Sequence, residues 1–228
     1  MHSTKENLQV LFEDNHIIIV NKRAGDIVQG DKTGDKPLSD VVKEYIKDKY
    51  QKPGNVFLGT VHRLDRPTTG IVIYARTSKA LERLNKMLRD KTIQKTYWAV
   101  VKGTPSKTSE TLLNYLKKNP KNNKSTAYNK EIDGSKKSIL HYKLLKKLDN
   151  YSLLEVDLET GRHHQIRCQL SSIGFPIKGD LKYGFPRSNK DGSIHLHARK
   201  ISFIHPVSKE KVAITAPTPQ DPIWEACK

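Results

Sequence analysis

Apolar residues along this chain recur in two rhythms, and the switches between them lay out the elements. Leu8, Val10 and Phe12 alternate with polar neighbours and predict a half-buried strand, while Ile17-Ile18-Ile19-Val20 is a continuous apolar run of strand length. Ala24-Gly25 punctuates the turn that follows. Leu38, Val41, Val42, Tyr45 and Ile46 fall on one face of a helix over 38–50. Ile71 to Ala75 predicts a second buried strand. Ser78 is placed as the N-cap of a helix that turns Leu81, Leu84, Met87 and Leu88 inward. Tyr97 to Val101 returns to strand, and Ser138 to Leu158 holds two alternating strands. Ile166, Leu170 and Ile173 carry a helix over 162–173, with Gly174 ending it. The tail gives strands from Ile194 to Phe203 and from Lys211 to Thr215. Hairpin-connected strands with a few interleaved helices indicate an α+β fold and not a βαβ repeat.

Charge changes this picture more than length does. The 228 residues suffice for one large domain or two small ones with a core of their own. Forty-one Lys and Arg against 24 Asp and Glu leave a net charge of +17. That excess favours a polyanion (RNA, DNA or an anionic membrane face), with simple solubility as the alternative. From Lys117 to Lys147 ten lysines face two acids, Glu131 and Asp133, with few apolar positions before Ile139. Residues 117–137 therefore read as an exposed, mobile hairpin or insertion, either a solvated loop or an arm on phosphates.

Other features narrow the setting. Cys168 and Cys227 suggest neither a disulfide framework nor a zinc site, and a reducing cytoplasm is expected. The stretch from Met1 to Asn7 has no leader-like apolar core, and the run Ile17 to Val20 is far short of a membrane span.

The chemistry concentrates in Val61-His62-Arg63-Leu64-Asp65-Arg66-Pro67-Thr68-Thr69-Gly70. One carboxylate lies between two arginines, which favour its ionised form. Such a group can orient, or attack, an electron-poor carbon on an anionic polymer. A surface loop with a salt-bridged Asp is the plainer reading. His195-x-His197 puts two imidazoles on one strand face, with His62, His163 and His164 also available. A metal site needs three ligands and a supporting shell, and no carboxylate cluster or His-Glu-x-x-His accompanies these histidines. Packing or RNA contact is the expectation for them.

His-Arg-Leu-Asp with its Thr-Gly turn resembles the signature of the RluA family of RNA pseudouridine synthases. Further segments agree in order: Asp14 to Lys22, Lys95-Thr96-Tyr97-Trp98-Ala99-Val100-Val101-Lys102-Gly103, and Gly161-Arg162-His163-His164-Gln165-Ile166-Arg167. Gly179-Asp180, Tyr183-Gly184 and His195 to Ala198 complete the pattern, which runs from about residue 9 to about 217. The resemblance implies a single catalytic domain over 1–228. It implies a central mixed, mainly antiparallel sheet flanked by helices and loops, with the active-site cleft across the sheet. Ahead of the first strand there is no room for the S4 module that many relatives carry.

The implied reaction breaks the N1–C1′ bond of a uridine and rejoins C1′ to C5 of the same base. It needs no cofactor. Asp65 is implied as the catalytic aspartate, Tyr97 as the tyrosine stacked on the flipped uracil, and Arg167 as the arginine that pairs with the aspartate. Arg63, His62, Arg162, His164, Gln165 and Ile166 are the implied RNA or substrate contacts. The expected partner is structured RNA, ribosomal or transfer, met by a cytoplasmic monomer without a membrane. His163 where Thr or Ser is common, Cys168-Gln169 for Val-His, and Thr68-Thr69 for Thr-Ser depart from the family pattern beside these groups. A non-catalytic RNA-binding domain and a metal-dependent nuclease are the rival readings.

Overall fold

The computed structural model describes residues 2–31 and 33–227; Met1, Lys32 and Lys228 lie outside the described residues. Its strands, in chain order, are β1 (Val10–Glu13), β2 (Ile17–Lys22), β3 (Gly59–Thr60), β4 (Thr69–Ala75), β5 (Gln94–Lys102), β6 (Ser109–Asn119), β7 (Lys124–Tyr128), β8 (Lys136–Lys147), β9 (Tyr151–Leu158), β10 (Leu196–Ile204) and β11 (Lys211–Thr215). The helices are α1 (Leu38–Lys49), α2 (Ser78–Arg89), α3 (Gln165–Ser172) and α4 (Pro222–Ala226), with a 3-10 turn at Leu181–Tyr183. The class is α+β as expected, with mixed, mainly antiparallel pairing and few helices. Contacts divide the chain into two compact units, Met1–Gln94 with Ala198–Pro219 and Lys95–His197 with Gln220–Lys228.

In the first unit the strand order is β1-β2-β4-β10, with β3 added to β4 and β11 to β10. All six residues of β2 and all seven of β4 are buried, because both strands are covered along their length. The predicted helix α1 lays Leu38, Val41, Val42 and Ile46 against Ile18, Val20, Val72 and Tyr74. Each such side chain, fully buried, contributes about 1.5–3 kcal/mol. Helix α2 begins one residue from expectation. Thr77, not Ser78, is the N-cap, and its hydroxyl accepts from the Ala80 N–H at 3.2 Å. Thr77 holds the extended backbone that a cap needs, while Ser78 already lies inside the helix.

In the second unit the order is β5-β9-β8-β6-β7. The lysine-rich stretch forms elements that its composition hides. Its first residues end β6, residues 119–124 turn, β7 returns antiparallel, and β8 pairs on the other side of β6. Burial alternates along these strands, with Leu112, Asn114, Leu116, Ser125, Ser138, Leu140 and Tyr142 all buried. Leu116 packs with Cys168 and Tyr183. The buried positions are spaced at period two, but Asn114 and the serines among them are polar and Leu113 and Tyr115 between them are apolar, which masks that period. Helix α4 was not foreseen; Asp221 caps it by accepting from the Ile223 and Trp224 N–H groups, and Trp224 packs with Val100, Leu153 and Cys227. Among the described residues no helix is long and apolar enough to cross a membrane.

Candidate active site

Asp65 lies in the loop between β3 and β4, in the first unit. Its carbonyl accepts from the Thr68 N–H at 3.0 Å, which closes a turn over Arg66-Pro67. The turn is fixed from beneath by a residue that sequence reasoning passed over. Lys22, at the end of β2, is 1% exposed. Its Nζ donates to the carbonyls of Arg23 at 2.9 Å, Arg66 at 3.0 Å and Thr68 at 2.7 Å. Three donors on one ammonium meet three acceptors, two of them in the Asp65 turn. The Arg66 carbonyl also accepts from the Gly25 N–H at 3.0 Å. Burial pushes the Lys22 pKa down to about 7, while the charges of Asp26 and Asp65 pull it upward.

The arginines around Asp65 have separate work. Arg66 pairs with Asp35 at 2.6 Å and donates to the Thr33 hydroxyl at 2.9 Å. Arg63 is exposed. His62, read as a substrate contact, accepts the Ile73 N–H on its Nε2 at 3.1 Å, so its ring continues the β3–β4 ladder beyond Thr60. Gly70 ends the motif at φ 110°, where an added Cβ would lie 2.4 Å from the Ala198 carbonyl oxygen. Only glycine admits that approach, which ties the Thr-Gly turn to Ala198 on β10.

The remaining candidates lie in the second unit. Tyr97 stands on β5 opposite Val156 of β9 and is buried. Arg167, on the first turn of α3, makes a two-pronged pair with Asp180, Nε to Oδ2 at 2.7 Å and Nη2 to Oδ1 at 2.9 Å. The two side chains are 6% and 1% exposed. The guanidinium also sits over the Tyr183 ring, 5.1 Å from its centroid. Asp180 and Tyr183 entered the sequence reading only as parts of a motif without roles. An acid and a tyrosine at i and i+3 of a Gly-bounded turn, within reach of a buried arginine, are the signal that was available.

Tyr183 links this arginine to β7. Its hydroxyl accepts the Ser125 N–H at 2.8 Å and meets His164 Nδ1 at 3.0 Å. Burial raises its pKa to about 12, so it remains a phenol. His163, the departure from the family pattern, stacks on His164 at 3.8 Å and shares a 2.9 Å hydrogen bond with Ser125 Oγ. Gln165 is buried and knots the entry to α3. Its Oε1 accepts from the Thr160 hydroxyl and the Arg162 N–H, both at 2.9 Å, and its Nε2 donates to the Ile139 carbonyl at 3.0 Å. Ile166 is buried beside it, whereas Arg162 is exposed and donates from Nε to the Lys137 carbonyl at 3.1 Å.

His195 is hydrogen-bonded to Asn189 and Asp221, both at 3.0 Å, and stacks on Trp224. Burial lowers its pKa. Among the described residues no group of three or more His, Cys, Asp or Glu side chains is placed to hold a metal.

The sequence matches the family profile described as RNA pseudouridylate synthase over residues 16–172. The chain belongs to that family. As a member it is an RNA-directed isomerase of uridine. An uncharacterised RNA pseudouridine synthase of Synechocystis is 36% identical over 216 residues, covering 93% of this chain and 66% of that protein. Ribosomal large subunit pseudouridine synthase D of Zymomonas mobilis is 33% identical, with 94% and 70% covered. Ribosomal large subunit pseudouridine synthase C of Buchnera aphidicola subsp. Acyrthosiphon pisum is 35% identical, with 95% and 69% covered. The chain thus spans 66–70% of the length of these relatives. The fold is shared with human RNA pseudouridylate synthase domain containing 4, at a TM-score of 0.77 with 22% identity over 93% of this chain and 89% of that one.

Proposed function

We propose that this chain isomerises a specific uridine of structured ribosomal RNA to pseudouridine, as a cytoplasmic monomer, with Asp65, Tyr97 and Arg167 acting on the target base. The observation that carries the reading is the anchored turn at Asp65. A carboxylate whose backbone is fixed by a buried ammonium is preorganised, and preorganisation lowers a barrier without reorganisation at the moment of reaction. Two relatives bear names that place them on the large ribosomal subunit, which supports ribosomal over transfer RNA.

In the reaction the N1–C1′ bond breaks, C1′ bonds to C5, the C5 proton leaves and N1 gains a proton. Asp65 faces the sugar and base carbon atoms in this reading, and Tyr97 stacks on the uracil near C5. Arg167 is held by Asp180 within its own unit. Extracting the uridine from its stack costs a few kcal/mol, which basic contacts to flanking phosphates offset. Arg63, Arg162 and His164 are proposed for such contacts, with His62, Gln165 and Ile166 as the other substrate-binding residues.

The test is tritium release from 5-tritiated uridine in ribosomal and transfer RNA, followed by mapping of the modified position. Release from transfer RNA alone overturns the substrate, and no release from either overturns the reading. Release that persists in EDTA separates it from a metal-dependent nuclease. Sedimentation at the monomer mass checks the oligomeric state.

A further inference from the structure

The hairpin strands of the second unit have two faces of opposite character. The inner face carries Leu112, Leu116 and Leu140, all buried. The outer face carries Leu113, Tyr115 and Lys117 on β6, Thr126 and Tyr128 on β7, and Lys137 and Ile139 on β8. The register sets Tyr115 directly opposite Tyr128 on one side and Lys137 on the other. Facing pairs hold their Cβ atoms about 4.5–5.5 Å apart, so two aromatic side chains and an ammonium form one row across three strands. Leu113, 46% exposed, and Tyr128, 37% exposed, are among the large apolar side chains that this protein leaves in solvent.

Charge surrounds that row. Lys117 and Lys137 share the face of that row and Lys121 and Lys130 lie in the adjoining connections; all four are exposed, and among the described residues none of them forms an ion pair. Glu131 and Asp133 are exposed in the β7–β8 connection, Glu110 on β6 pairs with Lys107, and Glu155 and Asp157 stand on β9, beyond β8 from the tyrosines. Asp157 is engaged there by the Thr96 hydroxyl at 2.6 Å. Lysines on an edge strand such as β7 also discourage strand-to-strand aggregation. That purpose is served without an exposed aromatic ring such as Tyr128, beside which Tyr115 is half-buried.

We infer that the outer face of β6, β7 and β8, centred on Tyr115 and Tyr128, is a stacking platform for single-stranded RNA. The inference rests on the reading of RNA as substrate and deepens it by naming the strand form bound there. Rings offer their faces to any base, and unpaired lysines beside them take the phosphates. The surface is firmly seated, since Ser125 on β7 bonds to Tyr183 and His163 on the other side of the sheet.

Tyr115→Ala and Tyr128→Ala, each checked for folding by circular dichroism, test it with a short fluorescein-labelled single strand and a duplex of equal length. Each Ala variant is expected to bind the single strand about tenfold more weakly, with duplex binding nearly unchanged, and Tyr115→Phe and Tyr128→Phe are expected to bind like the parent. Parent-like binding by both Ala variants overturns the inference. So does a Phe variant as weak as its Ala counterpart, or an equal loss on duplex. Should an Ala variant not fold, photocrosslinking of the unmodified protein to 5-bromouridine RNA decides: adducts at Tyr115 or Tyr128 support the platform, and adducts confined to other peptides overturn it. Tritium release by the unmodified protein keeps the readings apart. An active enzyme with unaffected Ala variants removes only the platform, and a silent protein with a working platform removes only the proposed isomerisation.

Discussion

Two buried cations organise the two units in opposite senses. In the first unit Lys22 is the scaffold, and it fixes the backbone that carries Asp65. In the second unit Arg167 is the group being fixed, and the carboxylate of Asp180 is its scaffold. The chemistry of each cation suits its task. An ammonium is a compact charge with three donors that can point at three unrelated carbonyls. A guanidinium is a planar fork that matches one carboxylate with two parallel bonds. Exchanging Lys and Arg at either place is therefore not conservative. The difference teaches that an acid loop is positioned through its main chain and a guanidinium through its side chain.

The comparison breaks first at Asp65. Asp65→Asn is expected to abolish tritium release while RNA affinity stays within about tenfold, about 1.4 kcal/mol. Normal turnover by this variant would remove the acid from the chemistry and leave Lys22 holding a loop of no catalytic account. In the second unit the largest stability effect is expected from Asp180→Ala. It leaves a buried guanidinium without its partner, and breaking such a pair costs about 3–5 kcal/mol. Urea denaturation measures it. The double variant Arg167→Met with Asp180→Leu sharpens the point. It is expected to recover most of the stability and none of the activity, because only the activity needs the charge.

How much of this was legible follows from what carries the signal. Strands β2 and β4 are uninterrupted apolar runs, α1 has its buried residues at helical spacing, and all three were found. Asp65 is conspicuous as one carboxylate between two arginines, and its role and that of Arg167 come from the match to the family motifs. Lys22 was overlooked since a lysine at a strand end reads as a polar boundary. Its burial depends on carbonyls supplied by residues 66 and 68, far along the chain. The end of β6 and all of β7 read as an insertion because Lys117 and Lys118 occupy both faces and Leu113 and Tyr115 make the outer positions apolar too, so no alternation stands out. Gln165 and His62 were expected on substrate, yet each has a backbone hydrogen-bonding task that only the folded loops create.

Lys22→Met probes the scaffold of the first unit and is expected to cost about 1–3 kcal/mol, since three buried carbonyls lose their donor. The effect depends on pH, and its sign is fixed. The pKa falls from 10.5 in the unfolded chain to about 7 in the folded one, so between those values the unfolded state binds more protons. The contribution of this group to stability is complete above 10.5 and is lost as pH falls through about 7. The stability gap between the parent and Lys22→Met is therefore expected to widen from pH 7 to pH 9, by at most about 1.4 kcal/mol for each unit crossed. Denaturation curves at matched ionic strength read this directly. A gap that stays constant would show that the carbonyls keep the ammonium charged throughout the window.

The smallest expected effect lies on the lysines that neither fix nor are fixed. Lys117 and Lys118 end β6 and Lys121 sits in the following turn, all exposed. Lys124 differs, because its Nζ lies 5.2 Å from the Tyr183 ring centroid and so touches the hub beside Arg167. Replacing Lys117, Lys118 and Lys121 with Gln, and leaving Lys124 in place, therefore changes surface charge without touching either buried cation. Each lost phosphate contact is expected to flatten the slope of log K against log salt by about 0.7–0.9. RNA binding measured across a salt series gives that slope, and single-turnover tritium release at saturating enzyme gives the rate. A weaker affinity with a shallower slope and a retained saturating rate assigns these lysines to phosphate attraction alone. An unchanged slope would reduce them to solvation of the hairpin. A collapse of the saturating rate in a folded variant would make the hairpin a third organising element, one that positions the uridine itself.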